Sequence, residues 1–338
     1  MKLLITGGAG FIGSNFVHYW IKHHPGDEIV VLDKLTYAGN LENLGLVKDK
    51  ITFVQGDICD EKIVGESLIG VDDVVHFAAE SHVDRSIIDP DVFVRTNVLG
   101  TNVLLHQSKI AGVQRFHHIS TDEVFGSIAL TEDKIWTEES SYNPRSPYSA
   151  SKAASDHLVR AYGATYNLPF TISNCANNYG PYLYPEKLLS LAITNVLEGK
   201  KIPVYTPGNQ IREWLYVEDH CSAIDTILQK GKIGETYFIG PSDPHITNLE
   251  LVKKLLARMG VGEDVIEFVA DRPGHDQKYA LSTKKIETEL GWKSNFTLDE
   301  GLQKTIDWYK ENEPWWKKIK SGEYRKYYEE QYRDTIKD

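Results

Sequence analysis

Five residues in two short segments have the types and spacing of an acid–base site. Thr121, Asp122 and Glu123 are consecutive, and Tyr148 and Lys152 follow at positions i and i+4. Two neighbouring carboxyl groups can serve as proton donor and proton acceptor in an elimination, provided that their pKa values differ. A tyrosine can remove the proton of an alcohol if its pKa lies near the working pH. The set therefore predicts an enzyme that oxidises an alcohol and eliminates water.

A glycine-rich turn near the N-terminus predicts a dinucleotide site. Gly7, Gly10 and Gly13 follow a predicted strand at residues 2–6 and open a predicted helix at residues 11–24. Glycines allow a tight turn, and the helix N-terminus offers free N–H groups to a pyrophosphate. Asp33 ends the second predicted strand, where a carboxylate can accept hydrogen bonds from ribose hydroxyls and would repel a 2′-phosphate. The predicted cofactor is therefore NAD.

The loops after successive predicted strands complete this site, because parallel strands bring their carboxyl ends to one edge of a sheet. The expected cofactor residues are Gly7, Gly10, Phe11, Ile12, Gly13, Asp33, Lys34, Leu35, Thr36, Asp57, Ile58, Phe77, Ala78, Ala79, Ser81, Thr96, Tyr148 and Lys152.

Tyr148 and Lys152 are expected on one face of a helix, because residues four apart are neighbours on a helical surface. A free tyrosine has a pKa of about 10, and lowering it by ~3 units needs about 4 kcal/mol of differential stabilisation. We expect the Lys152 ammonium and the positive nicotinamide to lower the pKa of Tyr148 in this way.

Short apolar runs alternate with helix-length segments over the first 180 residues. Strands are predicted at residues 2–6, 28–32, 51–55, 71–77, 115–120 and 169–174, and helices at 11–24, 61–69, 91–111 and 148–166. This alternation predicts an α/β fold with a Rossmann-type doubly wound parallel sheet. We expect an NAD-binding domain over residues 1–180, to which some later segments return. Frequent prolines then predict a smaller α/β substrate-binding lobe over residues 181–338, with a C-terminal amphipathic helix at residues 315–332.

The composition argues against several classes of binding partner and indicates the cellular compartment. The net charge of −11 argues against nucleic acid as the main partner. Cys59, Cys175 and Cys221 are too few and too widely spaced for a disulfide framework or a zinc site, so we expect no metal. No apolar stretch approaches the ~18 residues of a membrane span, and residues 3–5 are too short for a signal peptide. We expect a cytoplasmic protein that acts on a small molecule, with no membrane partner.

The glycine turn with the Tyr148 and Lys152 pair resembles the extended short-chain dehydrogenase/reductase family over nearly the whole chain. The Thr121-Asp122-Glu123 segment is similar to that of its nucleotide-sugar 4,6-dehydratase branch. So are the segments at residues 33–40, 78–86, 177–181, 212–220 and 271–276. The chain departs from that pattern at three positions without losing an acid or base: Phe125, Ala176 and Glu213.

The resemblance implies that dTDP-glucose is oxidised, dehydrated and reduced with tightly bound NAD, as in deoxysugar and rhamnose biosynthesis. Tyr148 would take the 4-hydroxyl proton, with Thr121 hydrogen-bonded near that oxygen, while hydride passes from C4 to NAD. Glu123 would remove the C5 proton, and protonated Asp122 would donate to the departing 6-hydroxyl. Hydride would return to C6, giving the 4-keto-6-deoxy sugar.

The resemblance also implies a substrate site and a homodimer. Asn178 would lie on the cofactor side, and the dimer would be built on the helices near residues 97–111 and 148–166. Arg212 and Arg272 carry most weight in the substrate site, because an acidic protein that binds two phosphates needs cations there. The implied substrate residues are Ser81, Thr121, Asn177, Lys187, Leu188, Pro203, Tyr205, Arg212, Asn248, Asp271, Arg272 and His275.

Several alternatives stay open at this point. Thymine and uracil differ by one methyl group, worth about 1–3 kcal/mol, and no residue identifies the base, so a UDP- or CDP-linked sugar is possible. A 4-epimerase or a decarboxylase shares the glycine turn and the Tyr–Lys pair, but the two carboxyl groups argue against simple epimerisation. A catalytically silent NAD-binding regulatory protein would not be expected to keep all five reactive residues.

Overall fold

The computed structural model describes residues 1–322, so residues 323–332 of the predicted C-terminal helix lie outside the described residues. Its strands are β1 Lys2–Thr6, β2 Glu28–Asp33, β3 Thr52–Gln55, β4 Asp73–His76, β5 Arg115–Thr121, β6 Phe170–Cys175, β7 Asn177–Tyr179, β8 Ile202–Tyr205, β9 Ile211–Arg212, β10 Trp214–Tyr216, β11 Thr236–Ile239, β12 Ile246–Thr247 and β13 Ile266–Val269. Its α-helices are α1 Phe11–His23, α2 Glu61–Ser67, α3 Val83–Ile88, α4 Pro90–Phe93, α5 Thr101–Ala111, α6 Pro147–Tyr166, α7 Leu188–Leu197, α8 Val217–Lys230, α9 Asn248–Met259, α10 Lys284–Leu290, α11 Leu298–Glu311 and α12 Glu313–Ser321.

Seven strands form one parallel sheet in the order β11-β6-β5-β4-β1-β2-β3. The order reverses between β1 and β4, which is the topological switch point of a doubly wound sheet. One apolar cluster packs α1 and α8 on the sheet, and another packs α2, α5 and α6. The predicted Rossmann-type fold is confirmed. Strand β11 was not predicted, since it comes 60 residues after β6 in the chain.

The predicted helix at residues 91–111 is interrupted by a π turn at Val94–Gly100 between α4 and α5. The turn carries the buried Asn97. Its amide oxygen accepts from the Glu80 N–H at 2.9 Å, and its amide nitrogen donates to the Glu80 carbonyl at 3.0 Å and to Ser151 Oγ at 2.8 Å. Insertions of this kind are frequent at functional sites, and this one ties the loop after β4 to α6.

A capping box fixes the start of α6, the helix that carries Tyr148 and Lys152. The Ser146 hydroxyl accepts from the Ser149 N–H at 3.0 Å, and the Ser149 hydroxyl accepts from the Ser146 N–H at 3.0 Å. Pro147 occupies the first turn, where a missing N–H costs nothing. Tyr148 is therefore held within the first turn of a well-anchored helix.

The second lobe consists of three two-stranded sheets, β7–β10, β8–β13 and β9–β12, with α7, α9, α11 and α12 around a separate apolar cluster. Helix α12 docks through Trp315, whose indole N–H donates to Asn43 Oδ1 at 2.8 Å, and through Lys320, which pairs with Glu198 at 2.7 Å. Within residues 1–322, no helix has the length and apolarity needed to cross a bilayer.

Candidate active site

A cleft runs along the carboxyl ends of the central strands and is closed on its other side by the second lobe. This is where open α/β sheets bind their ligands. All the predicted catalytic residues line it, and so does every predicted cofactor or substrate residue except Leu35 and Asp271. The loops of both lobes therefore bring the predicted residues together in one place.

The close packing of the glycine turn against its own backbone and the loop after β4 requires residues without side chains. Gly7 has φ +70°, and a Cβ added to it would lie 2.5 Å from the Ala78 nitrogen. A Cβ at Gly13 would lie 2.3 Å from the Gly7 carbonyl oxygen. Gly10 begins α1 without a side-chain cap, so the first N–H groups of the helix face the cleft region. These residues fit the pyrophosphate of NAD.

Asp33 closes this cradle on the β2 side. Its carboxylate accepts from the Ala9 N–H at 2.9 Å and from the Leu35 N–H at 2.8 Å. Leu35 thus serves the site through its backbone, although its side chain does not line the cleft. Lys34 pairs with Asp57 at 2.8 Å, so its ammonium is already partnered by a carboxylate. This arrangement favours NAD over NADP.

Thr121 ends β5 and caps the short 3₁₀ turn Asp122–Phe125. Its hydroxyl accepts from the Glu123 N–H at 3.3 Å and donates to Asp122 Oδ1 at 3.1 Å. The other Asp122 oxygen is buried without a hydrogen-bond partner among residues 1–322. A protonated carboxyl group tolerates such burial far better than a carboxylate does.

The two adjacent carboxyl groups have different electrostatic surroundings. Burial raises the pKa of Asp122 well above its usual value, and Glu123 and Glu213 raise it further. Burial also raises the pKa of Glu123, but Arg272, Lys187 and Arg212 oppose that rise. The pair can therefore supply a protonated Asp122 and an ionised Glu123 at one pH, as an acid and base in elimination require.

Tyr148 lies in surroundings that, without the nicotinamide, favour its neutral form. Burial raises its pKa well above the ordinary value, and Glu123 and Asp122 add to the rise, while a hydrogen bond from Thr121 lowers it. Lys152 Nζ donates to the Ile119 carbonyl at 2.7 Å, and burial lowers its pKa to about 8. The expected lowering of the Tyr148 pKa is therefore not achieved by the described residues alone. An additional positive charge is needed, and the oxidised nicotinamide of NAD provides one when bound.

The substrate end combines two arginines with unpaired amide oxygens. Arg212 donates to the carbonyls of Ile211 and Asp276, each at 2.8 Å, and its guanidinium lies 4.1 Å from the centre of the Tyr279 ring. Arg272 pairs with Asp84. Besides Asp122 Oδ2, four buried atoms of cleft-lining residues have no hydrogen-bond partner among residues 1–322: Arg272 Nε, Asn177 Oδ1, Asn248 Oδ1 and Trp214 Nε1. Atoms of this kind are satisfied by a polar ligand.

Asp271 is exposed and does not line the cleft, but it contacts His275, which does. The His275 Nδ1 atom is 2.6 Å from Asp271 Oδ1, and Gln210 donates to the other oxygen at 3.2 Å. The His275 ring meets the Tyr205 ring edge-on at 5.6 Å between centroids. Lys187 reaches across from the second lobe and donates to the Ser81 carbonyl at 3.1 Å.

Several cleft residues were not predicted from the sequence. Tyr37 lies under the Arg85 guanidinium at 4.2 Å, and Arg85 also pairs with Glu186 at 3.3 Å, which joins the loop after β2 to the second lobe. Asp84 lies within segment 78–86, which resembles the dehydratase branch, so the sequence offered a signal for this carboxylate as the partner of an arginine. Tyr279 had no local signal, because its contact with Arg212 exists only in the folded chain.

Comparison with known proteins agrees with this geometry. A family model described as GDP-mannose 4,6 dehydratase matches residues 4–305. A dTDP-glucose 4,6-dehydratase of Escherichia coli is 47% identical over 98% of this chain and 99% of its own length. One from Mycobacterium tuberculosis is 48% identical, covering 97% and 99%.

Solved structures show the same relationship. The dTDP-glucose 4,6-dehydratase DesIV of Streptomyces venezuelae, determined with NAD bound, is 49% identical with a TM-score of 0.92 and covers 94% of this chain and all of that chain (100%). By contrast, a UDP-glucose 4-epimerase of Thermotoga maritima is 28% identical with a TM-score of 0.86, covering 92% and 99%. The chain therefore belongs to the dTDP-glucose 4,6-dehydratases, within the family whose model is described as GDP-mannose 4,6 dehydratase.

Proposed function

We propose that this protein converts dTDP-glucose to its 4-keto-6-deoxy product as an NAD-dependent hydro-lyase. The observation that carries the proposal is that two adjacent carboxyl groups, Asp122 and Glu123, line one cleft with Tyr148, and that one Asp122 oxygen is buried there without a hydrogen-bond partner among residues 1–322. A plain alcohol oxidation or epimerisation has no use for a protonated and an ionised carboxyl group side by side. An elimination of water uses both.

The residues of the chain divide the work as follows. The residues that line the glycine turn would hold NAD, which would supply the chemistry of hydride transfer at C4 and C6 of the sugar. Tyr148 takes the proton of the 4-hydroxyl, and the Thr121 hydroxyl hydrogen-bonds beside it. Glu123 removes the C5 proton, which the neighbouring 4-ketone has made acidic. Asp122 donates its proton to the 6-hydroxyl, which leaves as water. Glu123 returns to C5 the proton it took, so the proton gained by Tyr148 balances the one lost by Asp122.

The binding roles follow from position in the cleft. The glycine turn, Asp33, the loops after β3 and β4, and Asn178 would hold NAD. Arg212 and Arg272 would bind the diphosphate, because a planar guanidinium suits paired oxygens. The unpaired oxygens of Asn177 and Asn248 would accept from sugar, ribose or base. Asp271 would act by orienting His275.

The proposal also covers the domain organisation, the oligomeric state and the cellular location of the protein. We place the NAD-binding domain at residues 1–180 together with β11, and the substrate lobe in most of the remainder. A homodimer on α5, α6 and the π turn before α5 is supported by exposed apolar side chains there: Leu99 on the turn, Ile110 on α5 and Tyr166 on α6. A cytoplasmic location and a role in deoxysugar biosynthesis, including that of rhamnose, stay predictions.

Mass spectrometry of the purified protein with dTDP-glucose, and with UDP-glucose in parallel, tests the function. We expect dTDP-glucose, but not UDP-glucose, to lose one water. We expect this loss without added NAD. Water loss from UDP-glucose instead would keep the mechanism and change the substrate. No mass change but a new isomer by NMR would make the protein an epimerase and would contradict the roles of Asp122 and Glu123.

A further inference from the structure

A second polar cluster lies behind Tyr148 and Lys152 and takes no part in the steps above. Asp156 follows Lys152 by one turn of α6, and Arg160 follows Asp156 by another. Residues four apart share a helix face, so Tyr148, Lys152, Asp156 and Arg160 form one line. Along this line the groups are a phenol, a cation, an anion and a cation. The first three are buried, and Asp156 is 0% exposed.

The carboxylate of Asp156 is held by several elements. One oxygen accepts from Ser120 Oγ and from the Tyr142 hydroxyl, each at 2.8 Å. The other lies 3.1 Å from Nε2 of the buried His118. Burial works to raise the pKa of Asp156, but the neighbouring His118, the charge of Lys152 and the hydrogen bond from Ser120 outweigh it and lower the pKa. Asp156 is therefore an ionised carboxylate in the interior. Burying such a charge costs free energy unless a nearby cation compensates for it.

Lys152 precedes Asp156 by one turn of α6, and the two side chains make no direct ion pair. Burial lowers the pKa of Lys152 to about 8, and the charge of Asp156 is the largest influence that opposes this fall. Lys152 Nζ has a neutral acceptor, the Ile119 carbonyl on β5. Without the carboxylate, the ammonium would lie buried among neutral groups, where its charged form is disfavoured.

Among residues 1–322, the charges that favour the ionised form of Lys152 are those of Asp156 and of a Cys175 thiolate. β4, β5 and β6 present His76, His118 and Cys175, and burial disfavours the charged form of each. The acidic groups of α3 and of the 3₁₀ turn are directed elsewhere, since Asp84 pairs with Arg272 and the Asp122–Glu123 pair acts on Tyr148.

Building on the proposed function, we propose that Asp156 is a positioning residue whose carboxylate keeps Lys152 charged and thereby makes Tyr148 a competent base. Asp156 is eight residues from Tyr148, roughly 12 Å along the helix axis, so its own charge acts on the phenol weakly. Its effect passes through Lys152, one turn from each.

The test is the pH dependence of the oxidation step in the NAD-loaded protein. Stopped-flow absorbance of NADH after mixing with dTDP-glucose reports that step, which needs Tyr148 as a base but does not need Asp122 as an acid. In Asp156→Asn, we expect the limb where the rate rises with pH to move to higher pH by about one unit, since a nearby opposite charge shifts a pKa by about 1–3 units. At pH values below this limb, a shift of one unit corresponds to a rate of oxidation that is about tenfold lower.

Two variants separate this role from a structural one. Asp156→Glu keeps the charge and should keep the limb in place. Tyr142→Phe removes a hydrogen bond from the carboxylate but leaves its charge, so it should lower the melting temperature without moving the limb. If Asp156→Asn does not fold, Asp156→Ser is a smaller neutral replacement with the same expected shift.

The outcomes are distinct. A limb that stays in place in the neutral variants, with only stability or the rate at every pH reduced, overturns the role of Asp156. A limb that moves to lower pH also overturns it. If the wild-type protein forms no NADH and loses no water from the sugar, the proposed function fails first and this role fails with it.

Discussion

Asp122 and Glu123 are adjacent in the chain, but different sets of charges from the second lobe act on them. Glu213 raises the pKa of Asp122 and Arg212 opposes it, whereas Arg272, Lys187 and Arg212 all oppose the rise that burial causes in the pKa of Glu123. The second lobe contributes all four of these groups. The acid and the base of the elimination are thus assigned by residues at least 64 positions away in the chain.

Neutralising both carboxyl groups should stop the reaction after its first step. The double variant Asp122→Asn with Glu123→Gln keeps Tyr148 and the cofactor site, so bound NAD should still be reduced by dTDP-glucose. Elimination should fall by about 10²–10⁴-fold, the usual contribution of acid–base groups. Absorbance should show NADH that persists, and mass spectrometry should show no water loss.

Tyr148→Phe is the matched control for that variant, because it removes the base of the first step and leaves both carboxyl groups. It should form no NADH within the same time. Product formation at the normal rate by the double variant would show that Asp122 and Glu123 are not the elimination pair.

Replacing Glu213 by glutamine should change the pH dependence of turnover. Glu213 raises the pKa of Asp122, and Asp122 must be protonated to act as the acid. Removing this negative charge lowers the pKa of Asp122, so activity should be lost at a lower pH on the alkaline side. Glutamine retains an amide oxygen that can accept the hydrogen bond from the Leu281 N–H. In the unsubstituted protein this nitrogen lies 2.9 Å from the Glu213 carboxylate. A profile of kcat against pH that matches the wild type would contradict this influence.

A methyl group at Gly7 should remove NAD without unfolding the chain. The added Cβ of Gly7→Ala would lie 2.5 Å from backbone at Ala78, so the turn must open. We expect NAD affinity to fall by at least about tenfold, which corresponds to 1.4 kcal/mol. The NAD content of the purified protein and titration calorimetry measure the loss.

Gly260→Ala is the control, because Gly260 has the same φ of +70° but an added Cβ would meet no atom within 4 Å. It carries the same backbone strain, about 1–2 kcal/mol, without the clash. Equal NAD binding in the two variants would mean that the space at Gly7 does not serve the cofactor.

The features that the sequence predicted well are local ones. The glycine turn, Asp33 and the spacing of Tyr148 and Lys152 each lie within one or two elements, so their geometry follows from the strand–turn–helix pattern alone. Strand ends differ from prediction by a residue or two, as expected where hydrogen-bonding ladders fray.

The features that it missed depend on contacts between distant parts of the chain. The raised pKa of Tyr148 results from burial and from two nearby carboxyl groups, and a spacing pattern does not reveal burial. The contacts of Arg212 with Tyr279, and of Arg272 with Asp84, join segments that are 67 and 188 residues apart. Charge and aromatic content indicated that such groups exist but not which of them meet.

Acid should destabilise the fold through His220, which is 0% exposed and has its Nδ1 atom 2.9 Å from Asn178 Oδ1. Burial lowers its pKa from 6.5 to about 3. Because the folded-state pKa is the lower one, this group's stabilisation is fully present above pH 6.5 and is lost as the pH falls toward 3. Between pH 7 and pH 5 the loss is about 2 kcal/mol.

In His220→Gln the fall in unfolding free energy over that interval, measured with urea, should be smaller by this amount. The exposed His106→Gln should leave it unchanged, and an equal fall in His220→Gln and the wild type would exclude His220 as a source of acid sensitivity.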